Sequence, residues 1–273
     1  MHRVMIGDCL DRLAELPGDS VDLIVTSPPY ADQRKNTYGG IAPDEYVAWF
    51  MPRADGMRRA LKPSGSLILN IKERIVDGER STYVLELILA MRRNGWLWTE
   101  EYVWHKKNAM PGKWAARFRD SWERLLHFTK RKDFRMFQDA VRVPAAEHTL
   151  ARVRHLSAAD WTRNESKTRS GFGKSMANWI GRDLVYPTNV LQLATENGNK
   201  NHSAVFPEAI PSWFIRLFTE PGDAVLDPFA GSGTTLAAAE KLGRDGIGIE
   251  IRPEYGAIIE ERLKSELFHG GQT

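Results

Sequence analysis

At 273 residues the chain has room for one large α/β domain carrying an insertion, or for two small domains. Its apolar share of 42% is ordinary for a globular protein, no apolar run is long enough to span a bilayer, and the start Met1-His2-Arg3-Val4 lacks a signal-peptide core, so a cytoplasmic protein with no membrane partner is expected. A single cysteine, Cys9, excludes an intramolecular disulfide and a cysteine-based zinc site, and no metal is expected; the net charge of +3 by itself excludes little.

In chain order, Ile6-Gly7-Asp8-Cys9-Leu10 leads into a short helix over residues 10–16 that Asp8 is placed to cap. Val21-Asp22-Leu23-Ile24-Val25 is a β-branched run stopped by Thr26-Ser27-Pro28-Pro29, which predicts a buried strand. Helical spacing covers residues 44–61 and ends at Lys62-Pro63-Ser64-Gly65; a second buried strand follows over residues 66–71, then an amphipathic helix over 82–94 closed by Gly95. This alternation predicts a parallel sheet covered by helices.

From about residue 106 to 200 the regularity is lost, although residues 124–129 read as one more strand. Aromatics such as Trp114, Phe118, Trp122, Trp161 and Trp179 are interleaved with cations. Between Val103 and Arg182 there are 18 Lys and Arg against 7 Asp and Glu, which puts +11 on this stretch and −8 on the remainder. Such asymmetry suits either a solvated basic face or a nucleic-acid-binding segment on an acidic body. Beyond residue 201 the α/β pattern returns: a helix over 210–219, a strand over 224–226, a glycine-rich turn, a helix over 234–242, a strand over 246–250 and a closing helix over 254–267.

Two of these junctions carry chemistry. Asp227-Pro228-Phe229-Ala230-Gly231-Ser232-Gly233-Thr234-Thr235 joins a strand to a helix, and its glycines let the backbone turn tightly against a ligand. No lysine follows the second glycine, so it is not a Walker A loop. Glu250 ends the next strand, where nucleotide-binding α/β folds place an acid for ribose hydroxyls. Thr26-Ser27-Pro28-Pro29-Tyr30 follows a buried strand: two prolines remove N–H donors, leaving carbonyls and the Ser27 hydroxyl as acceptors beside the aromatic face of Tyr30. Those groups suit an exocyclic amine, whose two N–H donors must be held while its nitrogen becomes tetrahedral.

The turn resembles the cofactor loop of S-adenosylmethionine-dependent methyltransferases, and Ser27-Pro28-Pro29-Tyr30 resembles the catalytic signature of the amino-DNA methyltransferases. The order of catalytic motif, basic middle and cofactor loop resembles their β class. The resemblance implies a Rossmann-like, mostly parallel seven-stranded sheet, circularly permuted. By this resemblance, residues 1–130 and 201–273 are expected to form the catalytic domain and 131–200 an inserted target-recognition region. It implies that Ser27, Pro28, Pro29 and Tyr30 act on a flipped base. It implies likewise that Asp227, Phe229, Gly231, Ser232, Gly233, Thr234 and Thr235 surround the methionine part of the donor, and that Glu250 holds its ribose. Asp8 and Cys9 lie at the adenine. His202, Phe206 and Pro207, in Asn201-His202-Ser203-Ala204-Val205-Phe206-Pro207, close over the methionine end; His202 reads equally as a buried structural histidine. Trp122 reads as a wall of the base pocket or as core. Partners so implied are duplex DNA, the methyl donor and a second copy in a homodimer. Both adenine N6 and cytosine N4 stay open as target, as do methyl transfer to RNA or a protein amide, and DNA binding without catalysis. A C5-cytosine mechanism is disfavoured, because Cys9 follows Asp8 and no proline.

Overall fold

The computed structural model describes residues 2–32, 40–109, 112, 116–147, 151, 183–195 and 206–269. The chain divides into two compact units, one of Met1–Phe137 with Asn189–Thr273, the other Gln138–Thr188. Residues 131–137 and 189–195, expected in the inserted region, therefore belong to the larger unit. In the smaller unit Val143–Pro144 pairs antiparallel with Leu184–Val185, and the Tyr186 hydroxyl donates to Asp139 at 2.9 Å.

The sheet strands are β1 (His2–Ile6), β2 (Val21–Thr26), β3 (Leu61–Ile71), β4 (Leu97–Lys106), β5 (Trp122–Thr129), β6 (Val190–Leu193), β7 (Ala224–Asp227) and β8 (Asp245–Glu250). The helices are α1 (Cys9–Ala14), α2 (Tyr46–Ala60), α3 (Tyr83–Arg93), α4 (Ala209–Phe218), α5 (Thr234–Lys241) and α6 (Pro253–His269). In space the strands run β1-β8-β7-β2-β3-β5-β4-β6. Neighbours from β1 to β3 are parallel, β5 is antiparallel to both β3 and β4, and β6 is parallel to β4. The expected seven strands are thus eight. The extra one is β6, from the stretch read as irregular. It covers the edge of β4, pairing Val190 with Val103 and Leu193 with Lys106, and Trp104 Nε1 donates to Leu193 O at 3.0 Å. An uncovered β4 edge would expose a row of unpaired backbone groups.

Helices cover both faces. On one, Leu13 of α1, Phe50 and Met57 of α2, and Leu87 and Met91 of α3 are buried in the main core with Met5 of β1. On the other, Leu236 of α5 and Ile259 of α6 pack with Val4. Met5 and Val4 are successive strand residues, so they point to opposite faces. Among the described residues no helix is long and apolar enough to cross a membrane.

The second face holds a buried histidine. His127 of β5 contacts Phe134, Phe218 and Tyr102, and its Nε2 lies 2.9 Å from Ser66 Oγ. With no charge beside it, burial lowers its pKa to about 3. The folded-state pKa lies below the unfolded value of 6.5, so neutral His127 supports the fold fully above pH 6.5. That support drains as pH falls from 6.5 towards 3. We expect stability to fall by about 2 kcal/mol between pH 7 and pH 5 from this group alone, read by urea unfolding at each pH. In the His127→Phe variant this part of the slope should vanish; an unchanged slope would refute the assignment.

Candidate active site

Strand direction gathers the two motifs. β1, β8, β7, β2 and β3 are mutually parallel, so Gly7-Asp8, Glu250, Asp227, Ser27-Pro28-Pro29-Tyr30 and Lys72 all emerge at one edge of the sheet. The chain leaves β2 towards β3 but leaves β7 towards β8 in the opposite direction. The β2–β7 junction is therefore the switch point where open α/β sheets form their binding crevice.

Asp227 binds this junction together. Its Oδ1 accepts from Thr26 Oγ1 at 2.7 Å and from the Phe229 amide at 3.0 Å, and Oδ2 accepts from Thr235 Oγ1 at 2.7 Å. The residue is 2% exposed, and burial raises its pKa against the lowering effect of these three bonds. The sequence places Asp227 among the residues around the methionine part of the donor; its own carboxylate faces inward. It joins the last residue of β2 to the first turn of α5.

The turn after Asp227 depends on two left-handed glycines. Gly231 has φ +53°, and an added Cβ would meet nothing within 4 Å. Gly233 has φ +80° and caps α5; a Cβ there would come within 3.0 Å of Ile259. Between them, Ser232 Oγ is buried without a hydrogen-bond partner. A buried hydroxyl is rarely left unpaired, so Ser232 Oγ has hydrogen-bonding capacity to spare. Glu250, 3% exposed, accepts the Gly231 amide at 2.9 Å through Oε2 and the Arg252 amide at 3.0 Å through Oε1, and burial raises its pKa. Thr235 is held by Asp227, and Thr234 Oγ1 accepts from Arg262 Nη1 at 3.2 Å.

Asp8 caps α1, accepting the Leu10 amide at 2.8 Å. It also pairs with Arg53, whose Nη2 lies 3.2 and 3.0 Å from its two oxygens. The Arg53 guanidinium carbon lies 4.3 Å from the centre of the Trp49 ring, and Trp49 lies 5.9 Å from the Phe229 ring. Sequence reading missed Trp49 and Arg53. Both sit on α2, with no local signal to distinguish them from an ordinary amphipathic helix. Cys9 is buried beside Asp8, and burial pushes its thiol up to about 12, so it is a neutral packing residue rather than a nucleophile. Phe206 and Pro207 are buried just ahead of α4, where Pro207 O accepts the Ile210 amide at 2.9 Å. His202 lies outside the described residues.

A polar cluster backs the other motif. The Tyr30 hydroxyl donates to Glu123 Oε2 at 2.7 Å, and Ser27 Oγ donates to the Tyr30 hydroxyl at 3.4 Å. Asn70 Nδ2 also donates to Glu123 Oε2, at 3.1 Å, and Lys106 forms an ion pair with Glu123 Oε1. Tyr46 donates to Pro29 O at 3.0 Å, which fixes the diproline turn. Burial and the nearby Glu123 charge raise the Tyr30 pKa well above its usual value, so its proton stays on. Trp122 is half-buried at the start of β5, with Arg124 5.2 Å from its ring. Glu123 was given no role in the sequence reading, although an acid beside Trp122 at the start of a strand that also holds Leu125, Leu126 and Phe128 was the available signal.

A family model described as DNA methylase, of the N6/N4 type, matches residues 21–261. The Type II methyltransferase M.PvuII of Proteus hauseri is 33% identical over 282 residues, covering 94% of this chain and 82% of its own length. M.BglII of Bacillus subtilis is 29% identical, covering 97% and 70%. Among solved structures, the PvuII DNA methyltransferase (cytosine-N4-specific) superposes with a TM-score of 0.72 at 27% identity, covering 97% of this chain and 90% of that one. A DNA modification methylase of Thermus thermophilus complexed with S-adenosyl-L-methionine superposes with a TM-score of 0.63 at 25% identity, covering 97% and 94%.

Proposed function

Since this chain belongs to the N6/N4 DNA methylase family, we propose that it methylates the N4 amino group of cytosine within a specific duplex sequence. Membership makes it an S-adenosylmethionine-dependent DNA amino-methyltransferase. The choice of cytosine rests on Ser27 at the head of the catalytic motif and on the likeness to a cytosine-N4-specific enzyme.

One observation carries the reading of the site. The Asp227 carboxylate ties Thr26, which precedes Ser27, to Thr235, which follows the glycine turn. A donor in that turn and an amine at Ser27 are thereby held side by side, and such orientation supplies much of the rate of a direct transfer. Ser232 Oγ, the Gly231 and Gly233 backbone and Glu250 would hold the methionine and ribose parts. Trp49, Phe229, Asp8 and Arg53 would border the adenine. When bound, S-adenosylmethionine supplies an electrophilic methyl group on sulfur.

Ser27 and Pro28 then act as acceptors for the exocyclic amine. Because the Ser27 hydroxyl hydrogen points to Tyr30, its lone pairs are left for the amine N–H. Tyr30 offers its ring to the flipped base, with Glu123, Asn70 and Lys106 fixing its hydroxyl. Within the expected 131–200, the smaller unit of residues 138–188 supplies target recognition in this proposal, supported by the basic charge of the middle of the chain. A homodimer, and a cytoplasmic site of action where DNA and donor meet, belong to the same proposal; sedimentation velocity reads the first.

The decisive experiment incubates the protein with labelled S-adenosylmethionine and mixed duplex DNA, digests the product to nucleosides and identifies the modified base by mass spectrometry. N4-methylcytosine is expected. N6-methyladenine would transfer the reading to the other branch of the family, and 5-methylcytosine would sink the mechanism. Sequencing the same product locates the recognition site.

A further inference from the structure

We propose that Phe118 is a wedge that enters the duplex beside the target base and holds the stack while the base is out, an inference that rests on the DNA methyltransferase reading above. Phe118 is 94% exposed; among the other described large apolar side chains, Ile251 comes next at 52%. Its neighbours in sequence are Arg117 and Arg119. An aromatic ring standing in water between two cations suits a ligand with stacked bases between phosphates.

Position supports the same assignment. Phe118 lies in the connection from β4 to β5. Both β3 and β4 are antiparallel to β5, so this connection leaves the sheet at the edge that carries Ser27 and Tyr30. Glu123, which holds the Tyr30 hydroxyl, is five residues further along the chain. Even fully extended, that segment spans no more than about 18 Å.

The base of the loop is tethered. Asp120 pairs with Arg80 at 2.7 Å, and with Lys72 and Arg117 at 3.4 Å each; Arg119 Nη1 donates to Ala109 O at 3.0 Å. Lys72 directly follows β3, which carries Asn70 of the Tyr30 cluster. Phe118 is thus projected from a braced segment at the catalytic rim. A flipped base leaves both its neighbours unstacked, and an aromatic wedge restores one stacking face.

The test uses the full chain and two duplexes carrying the mapped recognition site, one fully paired and one with an abasic position opposite the target base. Freeing the target from its partner removes most of the need for a wedge. Phe118→Ala is expected to lose at least about tenfold in kcat/KM on the paired duplex and to return to within about threefold of wild type on the abasic one. S-adenosylmethionine affinity by calorimetry should not change, since so exposed a ring supports no packing. Phe118→Trp should keep the paired-duplex rate, and adding the duplex with S-adenosylhomocysteine should quench its tryptophan emission by more than that of the wild type, which carries nine native tryptophans. An equal loss on both duplexes, or no loss on either, overturns the wedge while leaving the methyltransferase intact. Wild-type protein that methylates neither duplex overturns the underlying reading and the wedge with it.

Discussion

Tyr30→Ala is expected to lower kcat on duplex DNA by about 100-fold or more while S-adenosylmethionine affinity stays within about twofold. Stacking of a base on an aromatic ring is worth about 1–3 kcal/mol, and losing the ring also frees the base to leave the line of transfer. Affinity for the donor should survive because the bonds of Tyr30 run to Ser27 and Glu123, not to the glycine turn. Tyr30→Phe separates the two functions of the side chain. It keeps the stacking face but strips Glu123 Oε2 of its bond from Tyr30, leaving the Asn70 amide. It also leaves the Ser27 hydrogen without its acceptor, so the hydroxyl can turn its hydrogen towards the amine it should accept from. A loss of about fivefold in kcat is expected there, of the size of one hydrogen bond of about 1 kcal/mol. Steady-state kinetics on the mapped duplex checks both. Full activity in Tyr30→Ala would remove the residue from the mechanism.

What the sequence disclosed depended on how local each signal was. Val21-Asp22-Leu23-Ile24-Val25 followed by Pro28-Pro29 announces a buried strand and its stop within a single short segment, and β2 forms at Val21–Thr26. The cofactor turn is equally compact: a strand ending at Asp227 and a helix starting at Thr234 bracket it, and both form. The family likeness could be read from those two segments for the same reason. β6 could not, because Val190–Leu193 is four residues long and becomes a strand only by pairing with β4. Neither could the contacts that complete the site. Glu123 draws together Tyr30, Asn70 and Lys106 from three other strand ends, and Arg53 reaches Asp8 across 45 residues of chain. No periodicity records such pairings, since they are made by the order of the strands and the packing of helices on them, which are properties of the whole sheet. Asp227 illustrates the limit inside a recognised motif: its place in the turn was legible, the direction of its side chain was not.

That direction sets up the second large effect. Asp227→Ala is expected to destabilise the protein by about 3 kcal/mol, measured by urea unfolding. Three donors, the hydroxyls of Thr26 and Thr235 and the Phe229 amide, would lose their acceptor inside a site 2% exposed. Donor affinity should fall with it, because the turn carrying Gly231, Ser232 and Gly233 starts from that pin. Asp227→Asn distinguishes a pin from a ligand contact. Its amide oxygen can replace Oδ1, accepting from Thr26 and Phe229, while its NH2 group faces Thr235, whose hydroxyl can rotate to accept. A pin should therefore survive the change to Asn with a loss of about 1 kcal/mol and nearly unchanged S-adenosylmethionine affinity. A carboxylate that instead faced the charged amino group of the donor's methionine would behave in the opposite way. Its replacement by Asn would leave stability alone and weaken binding by about tenfold or more, because a charge-assisted hydrogen bond would be lost. Calorimetric titration of the Asn variant beside its unfolding curve separates the two, and a stable variant with poor affinity would return Asp227 to the role the sequence first suggested.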